Sequence, residues 1–304
     1  MAMNRAQFKK QLQDGLNTVF GLEYKRYPEE WRAIFDVEKE GRKSYVEDVL
    51  MAGLGGAQVK AEGAGVTYDT TSETYVARYV FETIALAFAI TEEAEEDGLY
   101  GSIGGKLSKA MARSFQHTKE LKGANILNNG FTAGAYQGGD AVALFSTSHP
   151  LKSGATASNK LSTDADLSET SLEDMLILIG GATDDRGIPI ALTPRRLIIP
   201  RQLKYVARRL LESPGRVDTA NNDINAIKSL GELPDGVSVN HRLTDTDAWF
   251  IKTDCPDGLK YIQRIALKGG VEGDFETGNM RYKKRERYIF GWSNWRAAFG
   301  TSGA

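Results

Sequence analysis

Apolar and polar positions change their period along the chain, and the changes divide it. Phe8, Leu12, Leu16 and Val19 or Phe20 recur every three or four residues, which predicts an amphipathic helix over residues 4–20 in spite of Gly15. Pro28 followed by Glu29 and Glu30 has the make-up of a first helical turn, and Trp31, Ile34 and Phe35 give a short second helix one apolar face. Together they form an N-terminal arm. Five glycines then fall within the thirteen residues Gly53 to Gly65, among small polar residues that can build no core, so a long two-stranded loop reaching away from the body is expected. From Thr74 to Ile90 the pattern alternates, with Val76, Val80, Ile84, Leu86, Phe88 and Ile90 on one face and Tyr75, Tyr79, Ala85, Ala87 and Ala89 on the other. This reads as one strand that returns from the loop and continues into the body.

Thr91 is placed to cap a helix whose first turns hold Glu92, Glu93, Glu95, Glu96 and Asp97, where the helix dipole favours negative charge. Ile103, Leu107, Met111 and Phe115 continue it at intervals of four, and Leu121, Ala124 and Leu127 carry it to Asn129, with Gly130 as its stop. This is the longest predicted helix, and Gly98, Gly101, Gly104 and Gly105 predict a kink or break in its first third. Residues 132–165 have no period and read as loop. Beyond them, a helix from Ser171, a strand at Leu197 to Ile199 and a helix from Arg201 to Leu211 alternate as in a mixed α/β layer, and short strands follow at 237–239, 248–252 and 259–265.

The last strand-like stretch, Met280 to Phe299, organises the rest. Its odd positions give Arg281, Lys283, Arg285, Arg287 and Ile289; its even positions give Tyr282, Lys284, Glu286, Tyr288, Phe290 and Trp292. One face is a basic ladder and the other becomes aromatic.

Composition changes this picture little. Hydrophobic residues at 41% and charged residues at 26% describe a globular chain, and 32 Gly against 8 Pro fits turns and extended arms. A formal charge of -2 gives little non-specific attraction for DNA, so the ladder is a local feature, better matched to a protein neighbour than to nucleic acid. Cys255 stands alone, which excludes an intrachain disulfide and a cysteine-rich metal site. The N-terminal residues lack a signal-peptide apolar region and no stretch approaches 18 uninterrupted apolar residues, so the chain is expected to be made and to stay soluble in the cytoplasm, away from membranes.

Candidate chemistry is sparse. The run Gly98 to Lys106 places Tyr100 and Leu107 where a phosphate-binding loop needs Gly and a hydroxyl. His117, His149 and His241 have no partner at metal-ligand spacing. Ser146, Ser148 and His149 could supply a nucleophile and base, but a His-Pro pair in a polar loop is ordinarily a turn. Glu92 to Asp97 match no calcium loop, and Cys255 has no adjacent base. No catalytic, cofactor-binding or metal-ligating residue is assigned, and the chain is not expected to be an enzyme or to need a cofactor.

Three separated stretches, TPRRLIIPRQLKYVARRLLES, AWFIKTDCPDGLKYIQR and DFETGNMRYKKRERYIFGWSNWRAAFG, occur in the order found in major capsid proteins of tailed bacteriophages, and the chain resembles that family, in its Mu-like major head lineage. The resemblance covers residues 170–300 strongly and the rest by order of elements. It implies an α+β fold of the Hong Kong phage 97 type: an N-terminal arm (1–43), an extended β-hairpin loop (44–80), a peripheral domain with a long spine helix (81–135) and a closing strand (270–304), and an axial α/β domain (136–269). It further implies a structural subunit that assembles into the hexamers and pentamers of an icosahedral shell enclosing double-stranded DNA without sequence-specific binding. The virion is then its place, with a separate scaffolding protein, a portal and a decoration protein as partners. Phe8, Leu12, Lys60, Glu62, Arg281, Lys283, Arg285 and Arg287 are the candidate inter-subunit contacts. Some members crosslink through Lys and Asn; Lys60 and Asn294 are present, but nothing in the sequence positions them for it. An encapsulin-like compartment and an α/β enzyme using residues 170–265 are the alternatives.

Overall fold

The computed structural model describes residues 5–41, 43–91, 100–134, 136, 138–215, 224–273 and 279–304. Helix α1 (Arg5–Tyr24) runs one turn past its expected end and buries Leu16 and Phe20. The second helix of the arm is a single 3-10 turn, Glu30–Ala33, with Trp31 buried. Strand β1 (Asp36–Lys39) follows, then β2 (Tyr45–Met51), β3 (Glu73–Val80), β4 (Glu82–Ile90) and helix α2 (Tyr100–Asn128). A small hairpin, β5 (His149–Pro150) with β6 (Thr156–Ala157), precedes α3 (Glu169–Gly180) and β7 (Pro194–Pro200). After α4 (Lys204–Glu212) and α5 (Ala226–Leu230) come β8 (Val237–Asn240), β9 (Trp249–Thr253), β10 (Leu259–Gly273), β11 (Met280–Trp292) and β12 (Ala298–Thr301).

Two four-stranded sheets hold these elements together, one in the order β1-β10-β11-β4 and the other β12-β9-β7-β8, with β2 and β3 forming a separate ribbon. The first sheet joins distant chain segments: β1 runs parallel to β10, which pairs antiparallel with β11, which pairs antiparallel with β4. Its inner face is closed by the two long helices, where Leu16 and Phe20 of α1 and Met111, Ala112 and Phe115 of α2 enclose Tyr282. Farther along, Trp31, Phe35, Ile126 and Leu127 pack on Tyr288, Phe290 and Trp292. The second sheet carries its own core, in which Leu172, Met175 and Ile179 of α3 meet Leu197, Ile199, Trp249 and Phe299.

Three expectations change. The stretch from Thr74 to Ile90 is two strands in two different sheets, with the buried Phe81 between them. Odd residues Ala77, Tyr79 and Phe81 are buried beside Ile262, whereas Val76 and Val80 are exposed, because β3 lies over the opposite side of the first sheet from the helices. The closing stretch is likewise divided. Strand β11 ends at Trp292, the Asn294 side chain accepts the Arg296 N–H to start a 3-10 turn at Trp295–Ala297, and β12 crosses to pair with β9 in the second sheet. Helix α2 passes through Gly101, Gly104 and Gly105 without a break, because α1 lies along it and Ser108 Oγ donates to the Leu16 carbonyl. The capping role of Thr91 and the acidic first turns after it fall on residues 92–99, outside the described residues.

Register between β10 and β11 depends on one glycine. An added Cβ at Gly269 would lie 1.9 Å from the Lys283 carbonyl oxygen, a backbone atom that cannot yield without moving the ladder. Gly269→Ala should therefore destabilise the subunit by about 1–3 kcal/mol, read as a lowered midpoint in thermal or denaturant unfolding; an unchanged midpoint would contradict the tight pairing.

The arm is tied to α2 by a carboxylate. Glu120 accepts the backbone N–H groups of Glu30 (2.8 Å) and Trp31 (3.0 Å), so a residue of α2 caps the arm's 3-10 turn. Burial pushes the Glu120 carboxyl from 4.5 up to about 7; the Glu30 charge adds to the rise, and the two N–H groups oppose it. A raised carboxyl favours the folded state while protonated, so its contribution is full below pH 4.5 and is lost as the pH climbs through about 7. Up to about 3 kcal/mol should be lost across that window, and Glu120→Gln should flatten this part of the stability profile in unfolding titrations at graded pH. An identical slope in the variant would refute the assignment.

Candidate functional site

Strand β11 displays the two faces that its alternation predicts. Arg281, Lys283 and Arg285 are exposed and Arg287 is half-buried, while Met280, Tyr282, Lys284, Glu286, Tyr288, Phe290 and Trp292 are buried. The inner face is more than aromatic. Lys119 of α2 donates to Glu286 Oε2 at 2.7 Å and to the Tyr24 hydroxyl at 2.8 Å, and its ammonium sits 5.1–5.7 Å from the ring centroids of Tyr24, Tyr261 and Tyr288. Burial pushes the Glu286 carboxyl up against the pull of Lys119, and the Tyr261 hydroxyl rises to about 12. Lys284 has no carboxylate partner among the described residues: its Nζ donates to Asn17 Oδ1 at 2.7 Å, and burial lowers its affinity for the proton. One strand thus anchors both long helices through its even positions and shows its cations outward. The sequence signal for the buried network was the presence of Lys284 and Glu286 on an apolar face; their partners lie on helices far away in the chain.

Lys60 and Glu62 are exposed in the extended loop, where residues 52–72 have no regular structure beyond a turn and Val59, Val66 and Tyr68 face solvent. The base of the loop is clamped. Asp69 Oδ2 accepts the Gly55 N–H (2.7 Å) and Arg186 Nη1 (2.8 Å), Arg186 also donates to the Thr70 carbonyl, and Thr74 Oγ1 donates to Asp185 Oδ2 at 3.2 Å. The Gly55 N–H, the Thr70 N–H, which donates to Asp69 Oδ1, and Arg186 hold the Asp69 carboxyl below the usual carboxylate range. Below the clamp, the ribbon turns Tyr45, Val49, Met51, Val76 and Val80 outward. Phe8 and Leu12 lie on α1, with their side chains outside the described residues. The structure does not gather the candidate contacts into one site; they are distributed over the arm, the loop and the sheet.

Of the residues considered for catalysis, His149 and Cys255 are buried within the subunit. His149 is no exposed turn residue. It is fully buried, its Nδ1 2.7 Å from Asp140 Oδ2 and its Nε2 3.1 Å from Asn159 Oδ1, and its ring stacks on Trp295 at 4.4 Å. Asn159 Oδ1 also accepts the Ser146 N–H while its Nδ2 donates to the Leu144 and Ala298 carbonyls, so this pair pins the irregular segment to the body. Burial pushes the Cys255 thiol up to about 11, and Asn294 donates to its sulfur at 3.2 Å. Asn294 is therefore buried within its own subunit, whereas Lys60 is exposed. Among the described residues no group of three or more His, Cys, Asp or Glu could hold a metal ion, and no helix is long and apolar enough to cross a membrane.

An assembly role fits such a molecule, and a family model described as phage capsid protein matches residues 74–300. The chain belongs to the phage capsid protein family. No curated protein matches it. Among solved structures it is similar to the capsid of the native GTA particle (12% identity, 92% of this chain and 91% of that one, TM-score 0.57). It is similar also to the virus-like particle from Pyrococcus furiosus (13%, 97% and 99%, TM-score 0.52) and to the procapsid of bacteriophage JBD30 (15%, 99% and 77%, TM-score 0.52). The α+β capsid fold expected from the sequence is thus present. As a member of the phage capsid protein family the chain is a structural component of the capsid, and its place is the virion.

Proposed function

We propose that this capsid protein forms the hexamers and pentamers of an icosahedral shell around a double-stranded DNA genome, as a major head subunit of the Mu-like lineage. The observation that carries the reading is the clamped loop on its ribbon. Residues 52–72 bury almost nothing, and the ribbon leaves an apolar row exposed, so both gain stability only by lying across a neighbour. Two-stranded ribbons are marginal alone. The near-neutral charge is consistent with a lining that releases DNA during packaging and ejection.

In this reading residues 1–43 are the arm, 44–80 the extended loop, 81–135 with 270–304 the peripheral domain and 136–269 the axial domain. Sheet membership favours moving β10 to the peripheral part and β12 to the axial part. Phe8, Leu12, Lys60, Glu62, Arg281, Lys283, Arg285 and Arg287 serve as inter-subunit contacts. The subunit is made in the host cytoplasm and works with a separate scaffolding protein, a portal and a decoration protein. The match to a phage capsid model weighs against the encapsulin-like alternative, and the described part of residues 170–265 packs helices on the second sheet.

Electron microscopy of the purified protein, with and without a co-expressed scaffold, tests this. Closed shells or capsomer rings are expected, and a protein that stays monomeric under every condition would overturn the proposal.

A further inference from the structure

The helices over the second sheet divide by charge. From residue 161 to 185 the chain carries seven carboxylates and no lysine or arginine; from 187 to 211 it carries six cations and no carboxylate. The fold sets these halves apart. Helix α3, in the acidic half, lies against β12 at one end of the sheet, whereas α4, in the basic half, forms with α5 the crossover from β7 to the parallel β8 at the other end. On α3, Glu173 and the exposed Asp174 meet no cation among the described residues. Arg208 of α4 is paired with Glu212, but the exposed Arg201, Lys204 and Arg209 meet no carboxylate among the described residues. Each end also leaves apolar side chains outside: Ile177 of α3 is 73% exposed, Tyr205 of α4 71% and Leu230 of α5 72%. One exposed apolar residue is ordinary, but here each end of a single layer sets one beside unpaired charge, and the two charges are opposite.

We propose that α3 of one copy of the chain docks on α4 and α5 of the next, an inference that rests on the shell-subunit reading above. Charge complementarity selects the occupant: Glu173 and Asp174 meet Lys204 and Arg209, and Ile177 is covered by Tyr205 and Leu230. Within one subunit both faces are described, and they form no ion pair with each other. A second copy supplies to each face what its own chain does not. The two surfaces are different parts of one chain, so their contact is head-to-tail, the kind that closes into rings when the rotation permits. An apolar centre with charge around it has the make-up of a protein interface, and tyrosine is among the side chains that dominate such contacts. Nucleic acid is the less favoured occupant of α4, since a DNA-binding face calls for a wider basic excess than a chain of formal charge -2 provides, and it would leave α3 uncovered.

The test compares full-length wild type, Lys204→Glu with Arg209→Glu, Glu173→Lys with Asp174→Lys, and all four substitutions together, by sedimentation and electron microscopy. Each reversal should lower shell or ring yield by about ten-fold or more, and the combined swap should restore most of it. Melting curves on these chains separate lost assembly from lost folding. Should a reversal fail to fold, Ile177→Ser carries the test, because that exposed side chain can be shortened with little effect on the melting midpoint while assembly drops. Co-expressed chains carrying Asp174→Cys and Arg209→Cys singly should form a disulfide between the two chains, the native Cys255 being buried. Reversals that assemble normally, a swap that rescues nothing, no disulfide between the chains, or normal shells that merely retain less nucleic acid would each overturn the pairing. If wild type assembles and these variants behave so, the pairing alone falls; if wild type forms neither shells nor rings, the shell reading falls with it.

Discussion

A chain in which residues 53–71 are replaced by Asn-Gly should fold as wild type does and form no closed shells. The ribbon survives this change, because Ala52 and Ser72 are already joined by a backbone hydrogen bond and Asn-Gly suits a tight hairpin. Little folding energy is at stake. The deleted residues are exposed almost throughout, and the main loss is the Asp69–Arg186 contact, a partly exposed pair worth about 0–1 kcal/mol. Assembly is different, since stable protein interfaces bury about 1,600 Å² in all and the loop is the part of this subunit that extends beyond its own core. Loss of shells by about two orders of magnitude, with an unfolding midpoint within a few degrees of wild type, is the expected pair of results. Shells of normal yield would show that the loop is not a joint between subunits.

The period-two pattern of β11 made its faces legible in the sequence, and the buried and exposed rows fall where alternation puts them. Alternation misled at residues 73–90 for a physical reason. Both halves alternate, but β3 buries Ala77, Tyr79 and Phe81 against the outer side of the first sheet while β4 turns its even positions to the helices, and no local signal marks the change of phase. Long-range pairing was equally hidden: the parallel contact of β1 with β10 joins residues more than two hundred positions apart. His149 shows the same limit. A His-Pro pair among small polar residues looks like a turn until Asp140, Asn159 and Trp295 close around it. The loop and the basic ladder, by contrast, are legible from composition and alternation alone, and both are exposed in the fold.

Breaking the Lys119–Glu286 pair should be the most destabilising change on the inner face. Both side chains are nearly inaccessible, at 6% and 0%, so Glu286→Leu leaves an ammonium buried with only the Tyr24 hydroxyl and aromatic faces for company. An unpaired buried charge costs about 3–5 kcal/mol, which for a domain of this size lowers the unfolding midpoint by about 10 °C. Lys119→Met is expected to cost less at acid pH than at neutral pH. Burial already raises the Glu286 carboxyl, and removing the ammonium raises it further, so the variant's stability is greatest where the carboxyl is protonated and falls as the pH rises through its shifted value. The double variant, Lys119→Met with Glu286→Leu, removes both charges and should recover most of the loss, because apolar replacements of a buried pair are often neutral. Denaturant unfolding of the four chains gives the coupling directly, with several kcal/mol expected between the two sites. Additive losses, each below about 1 kcal/mol, would mean that the sheet and the two long helices are held by apolar packing alone and that the pair contributes nothing to joining them.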